Sequence, residues 1–473
     1  MLNRISVIFL LCILIVGGTA MGRDIPREIE NMIAMGQYTK AREELKKMAE
    51  KEGVSEERRK ELLFEAERLR RIPFDFRLMA EDVLEQIRED IPDATMEDVK
   101  KWTEDGTLES RLIDGKRLYF SRSVGNLYRL NKEAAAMREG EKDLKYFIKK
   151  ALEAREESAS PYVTPKRFHV KYTLSVKPGE VPEGEMIRCW LPFPKEVPTQ
   201  KDIVLLSSSP EKHVIAPNKV EQRTVYMEQP SKGDEPTEFS ITFEYTAYAF
   251  VQPVDPEKIG VYDAKCEEIC QMYTVERPPQ IVFTPEIKKV AAHIVGEETN
   301  PYLKAKKIFE WVQTNIPWTG AIEYSTVPNL AMRALTRKTG DCGMQGLLFI
   351  NLCRVSGVPA KWQSGWTPRV GGGMGMHDWA QFYVEPYGWL YADASRGLIE
   401  SDDEDVRWFN FVNFDPYRMI VNTNYGAELH PPKEHFRSEP VDFQRGEAEW
   451  KGGNLYFNQW DYDAECEEIE LSE

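Results

Sequence analysis

Cysteine, histidine and aspartate are the side chains of covalent acyl transfer: a thiolate attacks a carbonyl, an imidazole accepts and returns the proton, and a carboxylate orients the ring. This chain of 473 residues presents them in that order, as Cys342, His377 and Asp393, between residues 318 and 396. Cys342 lies in Gly340-Asp341-Cys342-Gly343, directly before the apolar run MQGLLFINLCRVS, which ends at Gly357 with Pro359 two residues on. That punctuation predicts a helix with Cys342 at its N-terminus. There the partial positive charge of the helix, joined by a neighbouring imidazolium, is expected to lower a thiol from ~8.5 to ~4 to 7. Cys353, deeper in the same helix beside Leu352 and Val355, reads as an inert core thiol.

A strand is expected at 361–366 (KWQSGW), then a glycine-rich loop (Gly371, Gly372, Gly373, Gly375) read as a mobile rim beside His377. Alternation and the turn Pro386-Tyr387-Gly388 make 377–384 and 389–393 a hairpin. Residues directly opposite share a face, so a loop of odd count (385–387 or 384–388) makes paired numbers sum to 772. His377 then faces Ser395, with Asp393 its diagonal neighbour on the same face; an even loop would turn Asp393 away. Charge developing on a carbonyl oxygen should meet the Cys342 backbone N–H and one more donor, for which Trp318 and then Gln345 are the candidates. Trp366 and Trp379, with Trp362 and Trp389, are candidates to line an acyl-substrate groove, core packing being the alternative for each.

The run TGDCGMQGLLFINLCRVSGVPAKWQSGW followed by HDWAQFYVEPYGWLYADAS resembles the core of the transglutaminase-like superfamily, with its GDC box, histidine strand and aspartate strand. The spacings, 377 − 342 = 35 and 393 − 377 = 16, fit, and the resemblance covers about 285–400. It implies a papain-like α+β fold with Cys342, His377 and Asp393 at the matching positions. WLPFP at 190–194 is similar to what precedes this core in exported bacterial members, and MEDVKKWTEDGTLESRLIDGKRLYF looks like a segment accompanying it in Bacteroidetes proteins. The superfamily includes cross-linking enzymes, peptidases, deglycosylating amidases and members that have lost activity, so the likeness leaves the reaction open. Hydrolysis of an amide bond in protein, peptide or cell-wall peptide is favoured, because it needs only water as acceptor, whereas transamidation needs an amine site that excludes water. The competing class is a binding or scaffold protein, in which Cys342 is a core thiol, His377 a satisfied strand histidine and Asp393 a turn residue.

These residues must be positioned by an α+β, multidomain chain. The apolar run ISVIFLLCILIV behind Arg4, followed by small residues, reads as a signal peptide over 1–20, too short for a stable membrane span and implying a periplasmic or extracellular protein. From 24 to 160 the sequence is charged and helix-forming, with a cap at Thr95 to Asp98 and a hairpin turn at Asp114-Gly115, the pattern of a winged-helix-like unit. Strands separated by Pro, Gly and Ser clusters predict a small antiparallel β domain over 165–252. Helices capped at Thr284-Pro285 and Asn300-Pro301 should cover 286–296 and 301–314 and open a core at 280–400, with 401–473 an extension packing on it. A formal charge of −16 would repel a phosphate backbone, so no nucleic-acid partner is expected. No cofactor or metal is called for. Cys266 and Cys270 share a helical face in CEEIC but lack a CxxC or a nearby His, the remaining histidines are scattered, and the acidic run 402–405 lacks EF-hand spacing.

Overall fold

The computed structural model describes residues 25–91, 94–131, 145–260, 262, 266–368 and 374–471. The expected signal peptide and most of the glycine loop, residues 369–373, lie outside the described residues. Among those described, no helix is long and apolar enough to cross a membrane.

The fold is α+β. Three helices, Arg27–Ala34, Tyr38–Ala49 and Glu56–Asp75, open it. Tyr38, Ala41, Leu45 and Ala49 recur at helical spacing and are buried. Gly36 closes the first turn with φ +72°, and a Cβ there would meet the Leu112 carbonyl oxygen at 2.4 Å, so the position needs glycine twice over. Thr95 caps the helix Met96–Glu104 by accepting from the Asp98 N–H, and Asp98 answers the Thr95 N–H. The turn at Asp114-Gly115 joins Ser110–Ile113 to Lys116–Phe120, and Phe76–Leu78 adds to the far side of Lys116–Phe120.

Residues 162–250 form antiparallel strands, with Phe168, Val170, Tyr172, Leu174 and Val176 alternating inward along Tyr162–Val176 against Phe239, Ile241 and Phe243 of Thr237–Phe250. They do not close on themselves. Trp460–Ile469 pairs with Tyr162–Val176 along ten residues, and Glu447–Trp450 pairs with Met186–Pro192. The tail is therefore woven into both β sheets rather than laid upon the core as an extension. Its segments Phe411–Val412 and Met419–Asn422 also form the two edges of the sheet that carries the candidate site. The physical reason is edge satisfaction: strands that end a sheet expose unpaired N–H and C=O groups, and the tail supplies their partners.

The central unit packs Pro285–Val295, Pro301–Asn315, Leu330–Arg337 and Cys342–Val355 against a sheet ordered Phe411–Val412, Gly388–Ala392, Met374–Val384, Ala360–Pro368, Met419–Asn422. Thr284, Asn300 and Asp341 each accept backbone N–H groups as N-caps, and both prolines sit at the first helical position, as expected. Cys342–Val355 is buried from Gly343 to Arg354 and runs through the middle of a core that also includes Leu45, Leu69 and Ile72 of the opening helices. Cys353 is a buried thiol in that core.

Candidate active site

Asp341 ends the loop before the helix, and its Oδ1 accepts from the Met344 N–H at 3.2 Å and from the Tyr324 hydroxyl at 2.7 Å. This cap fixes Cys342 as the first helical residue, half-buried at the helix N-terminus. Gly343 lets Tyr324 approach: a Cβ there would lie 2.2 Å from the Tyr324 oxygen, which instead accepts the Gly343 N–H at 3.1 Å. The Cys342 Sγ donates to Asp378 Oδ2 at 3.3 Å. Burial, with the charges of Asp378 and Asp341 adding to it, raises the Cys342 thiol well above its ordinary value. The thiolate expected at the helix terminus is not favoured in this geometry: the terminus offers about half a positive charge, against burial first and then the carboxyl groups of Asp378 and the adjacent Asp341. Asp378 is itself raised well above the usual carboxylate range by burial and by Asp341, and burial brings Asp341 to about 6.

The hairpin has the register that parity required. Val384 opposes Gly388 across a three-residue loop, and Ala380 opposes Ala392, so paired numbers sum to 772. The ladder stops at Ala392, short of a His377–Ser395 pair, but Asp393 follows on the His377 face. His377 Nε2 lies 2.7 Å from Asp393 Oδ2, both groups buried. The other ring nitrogen, Nδ1, has no hydrogen-bond partner among the described residues, and no hydrogen bond joins the imidazole to Cys342.

Sequence reading missed what holds Asp393. Arg418 Nη1 reaches its Oδ2 at 2.7 Å, the Arg396 N–H and the Ser395 hydroxyl donate to its Oδ1 at 3.1 and 3.2 Å, and Arg418 and Arg396 both pair with Asp415 at 2.7 Å. Burial alone would raise the Asp393 carboxyl, but His377, Arg418 and Arg396 prevail and hold it well below the usual range. Gln444 was missed as well; its Nε2 donates to the His377 carbonyl at 2.9 Å and to Asp378 Oδ1 at 2.8 Å. Asp378 could have been flagged, since it follows His377 and must face the other side of the strand. Tyr324, Arg418 and Gln444 come from distant segments with no local signal.

The other candidates divide. Trp318 is half-buried, and its segment runs beside the cysteine loop, with the Thr319 N–H donating to the Gly340 carbonyl at 3.0 Å. Its indole N–H has no partner among the described residues, so it is free to donate. The opening region touches this segment: Asn126 exchanges two hydrogen bonds with the Gly320 backbone, at 2.7 and 2.9 Å, and the Arg129 guanidinium lies 4.2 Å from the Trp318 ring centre. Gln345 is buried, and one of the two N–H groups of its Nε2 is committed to the Ile316 carbonyl at 2.6 Å. Trp366 and Trp379 do not line a groove. Both are fully buried with their indole N–H groups bonded to the Gln444 carbonyl and to Gln363, Trp366 packing at a tilt against Tyr172 and Trp379 at a tilt against Phe414. Their places in the centre of the site-bearing sheet give them core neighbours on every side. Among the described residues, no group of three or more His, Cys, Asp or Glu side chains could hold a metal ion, and Asp403 of the acidic run is spent capping Glu404–Arg407.

No curated protein matches the chain significantly. Among solved structures, it is similar to a candidate cysteine protease from Cytophaga hutchinsonii, at 14% identity and a TM-score of 0.44 over 66% of this chain and 93% of that one. It is also similar to the periplasmic domain of TgpA from Pseudomonas aeruginosa, at 12% identity and a TM-score of 0.27 over 52% of this chain and 90% of that one. Residues 288–394 match the family model described as the transglutaminase-like superfamily, an interval that contains Cys342, His377 and Asp393. In those residues the chain carries a core of the transglutaminase-like superfamily.

Proposed function

We propose that the chain is an exported cysteine hydrolase that cleaves amide bonds in protein, peptide or cell-wall peptide substrates through a thioester acyl-enzyme. Cys342 is the nucleophile, His377 the proton carrier and Asp393 its orienting group. The single observation that carries this reading is the buried 2.7 Å contact between His377 Nε2 and Asp393 Oδ2, on the strand that runs beside the N-terminus of the Cys342 helix. It fixes the ring so that Nδ1 is left for the thiol proton, and a carboxylate held ionised by Arg418 stabilises the imidazolium that results. The Cys342 sulfur attacks the amide carbonyl as its proton passes to His377. The imidazolium returns that proton to the leaving amine, and water, deprotonated by the same ring, hydrolyses the thioester and regenerates the thiol. The Trp318 indole N–H and the Cys342 backbone N–H are the proposed donors to the oxyanion.

A second reading, a non-catalytic binding protein, draws on the Cys342 hydrogen bond to Asp378 in place of His377. One assay separates the two and also tests transamidation. The protein and its Cys342→Ala variant are incubated with a peptide pool and a fluorescent primary amine, and the products are read by mass spectrometry. New carboxyl termini or deamidated side chains dependent on Cys342 support hydrolysis, amine-labelled peptides support transamidation, and a wild type indistinguishable from the variant sinks the enzyme reading.

A further inference from the structure

Cys266 and Cys270 take no part in the site described above. Cys266 is the N-cap of the helix Glu267–Tyr273 and is fully buried, while Cys270, in the middle of that helix, is half-exposed. Their sulfurs stand 2.8 Å apart. Even carbon atoms, which are smaller, rest in contact only at ~3.5 to 4.0 Å, so the two sulfurs sit inside van der Waals contact. Four residues of helix separate α-carbons by about 6 Å, within the ~4.4 to 6.8 Å that a disulfide spans. The side chains therefore already face each other across one turn, and only a small further approach of the sulfurs separates the pair from a bond. Among the described residues no other two cysteines are in contact, and no third His, Cys, Asp or Glu completes a metal site at this pair.

We propose that Cys266 and Cys270 are a redox-modification site, a dithiol that closes to a disulfide by exchange with a small aliphatic disulfide. Cys270, the more accessible of the two, reacts first: it loses its proton, its sulfur bonds to one sulfur of the small disulfide, and the other sulfur leaves as a thiolate. The Cys266 thiol then loses its proton and attacks Cys270 Sγ, forming the intrachain bond and expelling the second thiolate. Two cysteine thiols are oxidised, one small disulfide is reduced to two thiols, and the two protons released are taken up by those thiolates. Burial and the Cys270 hydrogen bond push the Cys266 thiol up to about 12, consistent with Cys266 acting second, once the reactive mixed disulfide stands beside it. The ring closed spans only one helical turn, so it constrains little of the unfolded chain and contributes little stability. Its consequence is local. Tyr273 packs edge-on to Trp389 with ring centres 5.0 Å apart, and the Tyr262 hydroxyl donates to the Tyr383 carbonyl at 2.7 Å, so the bond rigidifies the segment that braces the outer end of the His377 hairpin.

The test uses the full chain. Native protein is incubated with oxidised glutathione, unfolded into iodoacetamide and digested with trypsin. Cleavage after Lys265 and after Lys288, Arg277 being protected by Pro278, leaves both cysteines in one peptide. The expected product is that peptide lighter by two hydrogens, unalkylated at both cysteines and converted by dithiothreitol to the doubly alkylated form, while Cys189, Cys353 and Cys466 are alkylated throughout. In the Cys266→Ser variant, Cys270 should instead retain glutathione as a mixed disulfide. Full alkylation of both cysteines after exposure, or glutathione stranded on wild-type Cys270 without closure, overturns the proposal.

Discussion

The Cys342 thiol donates to Asp378 while His377, the residue before it on the same strand, turns to Asp393. Neighbouring strand residues face opposite sides, so two carboxyl groups of opposite temperament flank the chemistry. Asp393 is held ionised by arginines, and Asp378 is pushed toward its neutral form by burial and by Asp341. In the resting geometry Cys342 keeps its proton, and under the proposed mechanism Sγ must leave Asp378 for the unpartnered Nδ1 of His377.

Replacing the titratable Asp378 carboxyl, whose ionised form opposes a thiolate at Cys342, should therefore free the nucleophile. Asp378→Asn is expected to lower the pH midpoint of Cys342 alkylation by iodoacetamide by about one unit or more, the size of effect a nearby like charge exerts. Peptide mass spectrometry across pH 5 to about 11 reads it. A midpoint that stays put or rises would show that burial alone sets the thiol. In a working pair, His377→Ala moves the midpoint upward in both backgrounds.

Arg418 is the counter-ion of two buried carboxylates. Arg418→Met leaves Asp393 and Asp415 without it, Arg396 remaining the one guanidinium at Asp415. The expected loss is ~3 to 5 kcal/mol of stability, read as a lowered urea midpoint with unchanged slope, and most of it should return in the triple variant that also carries Asp393→Asn and Asp415→Asn. A drop under 1 kcal/mol would mean the cluster relaxes into contact with water.

Gly343 and Gly346 lie one helical turn apart and should answer alanine differently. At Gly343 the added methyl meets Tyr324, whereas at Gly346 the nearest atom is 3.7 Å away. Gly343→Ala is expected to cost ~1 to 3 kcal/mol through overpacking, and Gly346→Ala to be neutral or stabilising by up to ~1 kcal/mol through helix propensity. Equal urea midpoints for the two variants would contradict the Tyr324 contact.

Stability against pH should carry opposite contributions from the two ends of the site. Asp341 rises from 3.8 to about 6 on folding, so its contribution is full below 3.8 and is lost as pH rises through about 6. Asp393 is depressed, so its contribution is present above 3.8 and is lost as pH falls through its lowered folded value. Asn is also a good N-cap, which makes Asp341→Asn a clean probe: relative to wild type, its melting temperature should improve steadily from pH 4 to 7. A constant difference across that window would remove Asp341 as the titrating group.

The sequence made some of this arrangement readable and hid the rest for definite reasons. The helix at Cys342 and the His377–Asp393 pairing follow from local punctuation and a period of two, which leave few alternatives once a three-residue loop is fixed. The protonation of Cys342 was not legible because it depends on burial and on Asp378, which reaches the thiol from a separate strand. Trp366 and Trp379 were open between groove and core because an indole suits both, and only the neighbours decide. The tail was read as an add-on because strand pairing between residues 167 and 469 has no signature at either end.

That pairing also sets an order of events in the making of the protein. Tyr162–Val176 gains one of its two partner strands only when Trp460–Ile469 has been synthesised, and the site-bearing sheet waits for Met419–Asn422. Contacts of such sequence separation form slowly and late. The nascent chain must therefore run on to Met419–Asn422 and Trp460–Ile469 before the two sheets they edge are complete, and those sheets stay exposed to proteolysis until these strands arrive.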